Sequence, residues 1–177
     1  MIDLNKLAAE IHEAAVAKGF WDVEDAEEKH LAKMISELGE VVQADRAGVM
    51  YEIEHEGAKP EGVVAEMADF VMMALEMYVH CKIDINSIVG VMPFDEYRAS
   101  LGAEIAERPA YSVVSLLDMA LNAFVDCDSI ADVKGCVLVT TYSVCCWVLE
   151  QGFDLWEVIR QKMEYNKSRP ALHGRKY

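Results

Sequence analysis

Apolar side chains recur at helical spacing along most of the chain, which is typical of amphipathic α-helices. The first apolar stripe, from Leu4 to Ala15, predicts a helix over residues 3–18, and Gly19 is a typical residue just beyond a helix end. A second stripe predicts a helix over residues 25–47. The same pattern predicts further helices at residues 60–80, shortly after Asp84, and at residues 93–107, 111–126, 130–150 and 154–167. The sequence therefore predicts an all-α helical bundle.

Two helix junctions share a sequence pattern that indicates an internal repeat. The segments IDINSIV (83–89) and FDLWEVI (153–159) each place an Asp, Asp84 or Asp154, directly before a predicted helix. Asp is a favoured N-cap residue, and Glu157 follows Asp154 at the spacing of a capping box. A duplicated helix pair explains this match, and so does a general likeness between helix junctions.

Two pairs of acidic residues interrupt the apolar stripes of the second and third predicted helices. Glu37 and Glu40 are three residues apart, so they share one helix face. Glu66 and Asp69 repeat this spacing on the next long helix. If the two helices pack antiparallel, four carboxylates meet, and their repulsion raises their pKa values or requires a cation. Oxygen ligands without Cys or His favour Mg²⁺ or Mn²⁺. The alternative is that these acids lie on solvated helix edges.

Composition and charge narrow the class of protein. The chain has 177 residues, 53% of them hydrophobic, which suits one globular domain with an ample core. The net charge of −15 argues against binding duplex nucleic acid, although a divalent cation can bridge acidic side chains to an anionic small ligand. The five cysteines form no CxxC pair, the N-terminus is acidic, and no apolar run has the length of a membrane span. We therefore expect a cytoplasmic protein with reduced thiols and no membrane partner.

The acid pairs belong to a longer set of motifs. These are KGFWD (18–22), ELGE (37–40), EMAD (66–69) after a gap of 25 residues, and the basic segment KMEYNKSRPALHGRKY (162–177). Together they resemble the MazG-like, all-α nucleoside triphosphate pyrophosphohydrolases. The resemblance covers about residues 1–90 and 147–177 and does not extend to the segment between them.

This resemblance implies a single all-α domain over residues 1–177, built from two fused helical units. Residues 1–92 would form the catalytic unit, and residues 93–177 would form a degenerate repeat of it with a basic tail. In the second unit, Cys136 and Val139 stand where the repeat would place the second acid pair. Members of the family often complete their site across a dimer interface, so a homodimer is the alternative to a site assembled within one chain.

The resemblance also implies an activity, which is Mg²⁺-dependent hydrolysis of a nucleoside triphosphate to the monophosphate and pyrophosphate, with Mn²⁺ as a substitute metal. The metal-binding and catalytic residues would be Glu37, Glu40, Glu66 and Asp69. One of these carboxylates, which the sequence does not identify, would take the proton of the attacking water. The substrate-binding residues would be His12 and Trp21 at the base, and Lys162, Asn166 and Arg169 at the phosphates. The structural alternatives are a surface His12, a Trp21 that fills a corner of the fold, and an exposed Lys162.

Two other functions compete with this one. A non-catalytic helical scaffold or nucleotide-binding protein would keep the fold without turnover, and it would give no heat on titration with Mg²⁺. Glu27/His30 and Glu52/His55 have the Glu-x-x-His spacing of di-iron helical bundles, although the second pair falls in a glycine-flanked acidic loop. Bound iron would indicate that class. The preferred base, the sugar and the physiological role stay open in each case.

Overall fold

The computed structural model describes residues 3–22, 26–85, 93–107 and 130–174, with side chains for all of these except 26–28, 101–107 and 130–136. The described part contains the α-helices α1 (Leu4–Ala17), α2 (Ala26–Ala47), α3 (Val63–His80), α4 (Phe94–Glu107), α5 (Ile130–Glu150) and α6 (Leu155–Ser168). A 3₁₀ segment, Ala171–Gly174, follows α6. The described ranges contain no strand beyond one isolated bridge, so the predicted all-α class is confirmed for them.

The predicted helix limits agree with the observed ones to within one residue for α1 and α2. Helix α3 begins three residues later than predicted, at Val63, because the residues from Pro60 to Gly62 belong to a structured loop. The predicted helix at 111–126 and most of the one after Asp84 lie outside the described residues. Among the described helices, none has the combination of length and apolar character needed to cross a membrane.

Helix α3 lies at the centre of the bundle. It packs against α1 and α2 on one side and against α5 and α6 on the other, while α4 packs on α5. Because neighbours surround it, α3 is buried on nearly all faces, and Phe70 and Tyr78 are completely buried. Replacing such an aromatic side chain by Ala typically costs about 3–5 kcal/mol. The acids on α3 therefore lie on a helix that the rest of the fold holds in place.

The loop between α2 and α3, residues 48–62, is attached to the first turn of α3 by its backbone. The amide of Val63 donates to the carbonyl of Val49, and the amide of Val64 donates to the carbonyl of Met50, each at 3.0 Å. The first amides of a helix have no partner within the helix. Here the loop satisfies two of them, which joins the end of α2 to the start of α3.

Gly62 closes this loop in a conformation that favours glycine. Its φ is +100°, and an added Cβ would lie 2.9 Å from backbone atoms of Val49 and Met50. Just before it, Glu61 and Glu52 exchange backbone hydrogen bonds of 3.0 Å in both directions. The loop therefore keeps a defined shape although it is rich in exposed charged residues.

Of the two junctions that share the repeat pattern, at Asp84 and Asp154, the structure describes a helix cap only at Asp154. The side chain of Asp154 accepts a hydrogen bond from the amide of Glu157 at 3.1 Å, so the predicted N-cap of α6 is confirmed. At the first junction, Asp84 accepts a hydrogen bond from the side chain of Asn5 at 2.8 Å. The residues that Asp84 would cap lie outside the described ranges, so the internal repeat stays a prediction.

Candidate active site

Three of the four predicted acids form a compact cluster. The side-by-side packing of α2 and α3 places one carboxylate oxygen from each of Glu37, Glu40 and Glu66 within 4.8 Å of the others. Glu66 is only 6% exposed, and the other two are half-buried. The alternative of a solvated helix edge is therefore wrong for Glu66. The remaining acid, Asp69, lies one turn further along α3, where it forms an ion pair with a lysine.

That lysine is Lys162 of α6. Its ammonium donates to Asp69 and lies 3.4 Å from Oε2 of Glu66, and the residue is only 2% exposed. The alternative of an exposed helix lysine is thus wrong. Burial disfavours the charged form of Lys162, but the attraction of Asp69 and Glu66 outweighs it and raises the pKa above its ordinary value. The fourth predicted acid therefore reaches the same site but is paired with a buried cation.

The electrostatics of the cluster favour the uptake of a proton or a cation. Burial, with the nearby charges of Asp69, Glu40 and Glu66, raises the pKa of Glu37 to about 8. Burial also raises the pKa of Glu66, although Lys162 and Lys59 oppose this change. Three carboxylates this close are the kind of donor set that hard divalent cations bind, and cation binding would displace the proton. The residues that could hold a metal are thus Glu37, Glu40 and Glu66, with Asp69 beside them.

A cavity of about 440 Å³ opens directly onto this cluster. All four predicted acids line it, and so does Glu76. Its basic side chains are Lys18, Lys33, Lys59, Lys162, Lys167 and Arg169, and its apolar wall includes Ile11, Phe20, Met72 and Met73. A site with clustered carboxylates, several cations and an apolar wall suits a ligand that has an anionic part and an apolar part. We refer to this space as the main cavity.

Asn166 and Arg169, predicted to bind phosphates, both line the main cavity. Arg169 Nη1 lies 3.4 Å from the Oδ1 of Asn166, which accepts its hydrogen bond. The segment after them folds back on α1, where the amide of Leu172 donates to the carbonyl of Lys18 at 2.8 Å. Arg175 and Lys176, which belong to the predicted basic tail, lie outside the described residues.

His12 and Trp21, predicted to contact a base, are not part of the wall of the main cavity. Trp21 is 9% exposed and stacks on His80, with ring centroids 4.1 Å apart. His12 is half-buried, with its ring 5.5 Å from that of Trp21, so it is not a fully exposed surface residue. Trp21 reaches the cavity only indirectly, because its Nε1 donates to Glu76, which lines the wall. The predicted contact with a base stays a prediction.

Sequence reasoning missed two residues of this site, Glu76 and Lys59. Glu76 is 8% exposed, and burial is the main cause that raises its pKa to about 8. It follows Asp69 by seven residues on an apolar helix, and this helical spacing could have revealed it. Lys59 Nζ lies 3.8 Å from Oε1 of Glu66. It is the one Lys or Arg in residues 48–62, which is also visible in the sequence.

Among the described side chains, the two Glu-x-x-His pairs of the di-iron alternative do not form a common site. A ring nitrogen of His30 lies 2.7 Å from the carbonyl oxygen of Met73, and burial lowers the pKa of His30 to about 4. Glu52 and His55 are exposed in the α2–α3 loop. The side chain of Glu27 lies outside the described set.

Comparison with known proteins identified no relative of this chain. The chain matches no protein-family model, no curated protein and no solved structure.

Proposed function

We propose that the protein is a Mg²⁺-dependent nucleoside triphosphate pyrophosphohydrolase of the MazG-like type. One observation carries this proposal: three glutamate oxygens within 4.8 Å of one another lie on the wall of a 440 Å³ cavity that basic and apolar side chains also line. A nucleoside triphosphate has the matching parts, because its phosphates are strongly anionic and its base is a flat, partly apolar ring.

The donor set fits the proposed metal. Glu37, Glu40 and Glu66 would hold Mg²⁺, or Mn²⁺ in its place, while Asp69 lines the same cavity and is paired with Lys162. When bound, such a cation polarises phosphate oxygens and lowers the pKa of a coordinated water. It also neutralises an acidic site that would otherwise repel a triphosphate.

The protein's own residues would position the substrate and move the proton. Lys33 and Arg169, on the wall of the main cavity, would hold phosphate oxygens, Arg169 through its planar fork of donors. A carboxylate of the cluster would take the proton of a water that attacks the α-phosphorus. A new oxygen–phosphorus bond forms, the bond from the α-phosphorus to the bridging oxygen breaks, and pyrophosphate leaves with that electron pair.

The apolar wall of the main cavity would receive the nucleoside. Phe20 places an aromatic ring at this wall, with Nζ of Lys33 3.8 Å from its centroid and the ring of His173 in a T-shaped arrangement 4.9 Å away. Met72 and Met73 supply flexible apolar surface from α3. Aromatic and sulfur-containing side chains contact flat rings favourably.

The test is a substitution within the cluster, assayed with a panel of nucleoside triphosphates and Mg²⁺. Glu40→Gln keeps the size of the side chain and removes one carboxylate. We expect it to lower kcat/KM by about a hundredfold or more while the far-UV circular dichroism is unchanged. Glu10→Gln, the same change at an exposed position on α1, serves as the control. Near-normal turnover by the Glu40 variant would remove the cluster from the mechanism.

We also propose that the site is complete within one chain. The observation that supports this is the packing of α5 and α6 on α3, together with the contact of Lys162 with Asp69 and Glu66 in the same chain. Helices from the predicted second unit, residues 93–177, thus cover the central helix of the first unit, residues 1–92. Activity that stays proportional to enzyme concentration down to a monomeric sample would agree with this; activity that vanishes on dissociation would favour the homodimer.

A second candidate is a nucleotide-binding protein without catalysis. The observation that favours it is Lys162, whose buried ammonium already neutralises part of the acidic charge. A permanent cation at this point reduces the need for a metal ion. Titration calorimetry with MgCl₂ separates the two functions, because the enzyme requires saturable metal binding and this alternative does not.

A further inference from the structure

One face of α3 supplies a row of side chains to the main cavity. Five residues of this helix line the cavity, in the order Glu66, Asp69, Met72, Met73 and Glu76. Residues three and four apart share a helix face, which is why these side chains form a row. At 1.5 Å of rise per residue, Glu76 lies about 10 Å along the helix axis from Asp69 and about 15 Å from Glu66. The row therefore begins with two acids, continues with two methionines and ends with a single carboxyl.

This order of groups corresponds to the parts of a nucleotide. The acids belong to the proposed metal and phosphate site, and the methionines offer flexible apolar surface to a flat ring. The distance from the acids to Glu76 is comparable with the length of a nucleoside 5′-phosphate. A nucleobase has apolar faces, but its edges carry hydrogen-bond donors and acceptors. A single carboxyl beyond an apolar surface is therefore placed to contact the edge of a base.

Glu76 is held in a defined orientation by Trp21. The indole Nε1 of Trp21 donates to Oε2 of Glu76 at 3.3 Å. The indole itself packs against the rings of His80 and His30, with centroids 4.1 Å and 4.4 Å away. Packing of this kind restricts the rotamers of a side chain that a ligand contacts. Trp21 is thus a positioning residue for the carboxyl of Glu76.

The hydrogen bond from Trp21 occupies only one of the two carboxyl oxygens. Among the residues that the structure describes, none forms a hydrogen bond with Oε1 of Glu76. A buried polar atom without a partner costs free energy, and a ligand in the main cavity can supply the partner. Burial raises the pKa of Glu76 to about 8, although Lys33 and the Trp21 donor oppose this change. Near neutral pH the group is therefore a carboxylic acid, which both donates and accepts hydrogen bonds.

We propose that Glu76 selects the nucleobase of the substrate through a hydrogen bond between its Oε1 and the edge of the base. The proposal rests on the proposed function, in which the main cavity receives the nucleoside. It defines the substrate class as a nucleotide whose base offers a hydrogen-bonding group to Glu76. An apolar ring of the same shape would leave the buried carboxyl without a partner, and a site of this kind strongly rejects such an analogue.

A cycle of measurements that removes the carboxyl and the base edge, separately and together, tests this contact. The wild type and Glu76→Met are each assayed, with Mg²⁺, on the preferred nucleoside triphosphate and on an analogue whose base is an apolar ring of the same shape. We expect either single change to lower kcat/KM by about tenfold or more. Both changes together should lower it little further, because they remove the same hydrogen bond.

Three controls separate base recognition from support of the fold. Glu76→Gln should keep the preference for the natural base, because an amide also donates and accepts. Glu10→Met makes the same kind of change at an exposed position on α1. Inhibition by tripolyphosphate, which has the phosphates but no nucleoside, should change by less than about twofold in Glu76→Met. A residue that only supported Trp21 would weaken tripolyphosphate and nucleotides equally.

Two results overturn the assignment. One is an additive effect of the two changes in the cycle, and the other is an equal loss of affinity for tripolyphosphate and the nucleotide in Glu76→Met. If that variant fails to fold, the wild type decides alone: turnover of the apolar analogue at the rate of the natural substrate would refute a hydrogen bond to the base.

Calorimetry with nucleoside monophosphates separates this inference from the proposed function, because it requires no turnover. Base-dependent binding that Glu76→Met abolishes, in a protein that hydrolyses no triphosphate, would support the base contact and refute the enzyme. Hydrolysis of triphosphates with the same ranking of bases in wild type and Glu76→Met would support the enzyme and refute the contact. A wild-type chain that binds all monophosphates equally would refute the contact as well.

Discussion

Replacing Glu76 by Gln should change how the stability of the protein depends on pH. Glu76 is buried on α3, where Trp21 Nε1 donates to its Oε2 at 3.3 Å, and burial raises its pKa from 4.5 to about 8. Between these pH values the folded state keeps a proton that the unfolded chain has released. Because the folded state binds more protons, its stability falls as the pH rises through this window. Gln keeps the shape and an acceptor for Trp21 but does not titrate.

The size of the effect follows from the two pKa values. Because Glu76 is ionised in the unfolded chain, its raised pKa lowers the free energy of unfolding by about 2 kcal/mol at a pH of about 6 and by about 4 kcal/mol at a pH of about 8. The variant should therefore gain about 2 kcal/mol of unfolding free energy relative to wild type over this interval. Glu37, whose pKa is raised to about 8 as well, should leave the variant with part of the original pH dependence.

Urea unfolding followed by circular dichroism, at several pH values and without divalent cations, measures this difference. Metal must be removed because its binding to the carboxylate cluster would add a pH dependence of its own. Glu10→Gln, at an exposed position, reports the effect of the same charge change elsewhere. If the free energies of wild type and the Glu76 variant remain parallel from acid to mildly alkaline pH, Glu76 is not a buried titrating carboxyl and the reasoning is refuted.

Three further changes test other parts of the structure. Lys162→Met should destabilise the metal-free protein by about 3–5 kcal/mol, because it leaves buried carboxylates without their cation, and added Mg²⁺ should restore part of the loss; equal urea midpoints with and without the substitution would contradict this. Gly62→Ala should lower the unfolding free energy by about 1–3 kcal/mol because its φ is +100° and its Cβ would meet the backbone of Val49, and thermal unfolding without a shift would count against it. Deleting residues 170–177 should raise KM for the triphosphate more than it weakens Mg²⁺ binding, because Leu172 and His173 line the main cavity. An unchanged KM in a folded truncation would show that these residues do not contribute to substrate binding.

Patterns within single helices predicted the features that depend on residues close together in the sequence, namely the helix limits and the face on which each side chain lies. The three-residue spacing of Glu37 and Glu40 was enough to place them on a shared face, and the apolar stripe of α2 was enough to direct that face towards α3. The convergence of the acids needed only one further assumption, which was antiparallel packing of adjacent helices. The backbone of α6 was predicted equally well from its cap at Asp154 and its apolar spacing.

The surroundings of individual side chains depend on distant residues and were harder to predict. Lys162 follows Leu155, Val158 and Ile159 at the spacing of a buried face, so its burial was visible in the pattern, but its partners lie more than ninety positions earlier in the sequence. Trp21 is enclosed by His80 in the same way, through contacts between distant segments. Such contacts follow from how the helices are arranged in three dimensions, which periodicity along the chain does not specify.

The backbone bonds from Val49 and Met50 to the start of α3 have a consequence for how the chain tolerates change in length. These bonds fix the register of α3 against α2 and involve only the first residues of the loop. The spacing of the carboxylates therefore does not depend on residues 53–58. A slip of one helical turn would move the acids of α3 by about 5.4 Å and separate them from those of α2. Insertions within residues 53–58 can therefore lengthen the loop while the carboxylates keep their spacing, whereas a single residue added at Met50 or Gly62 would move α3 against α2. The exposed middle of this loop is the place where the chain can accept new sequence next to its most constrained residues.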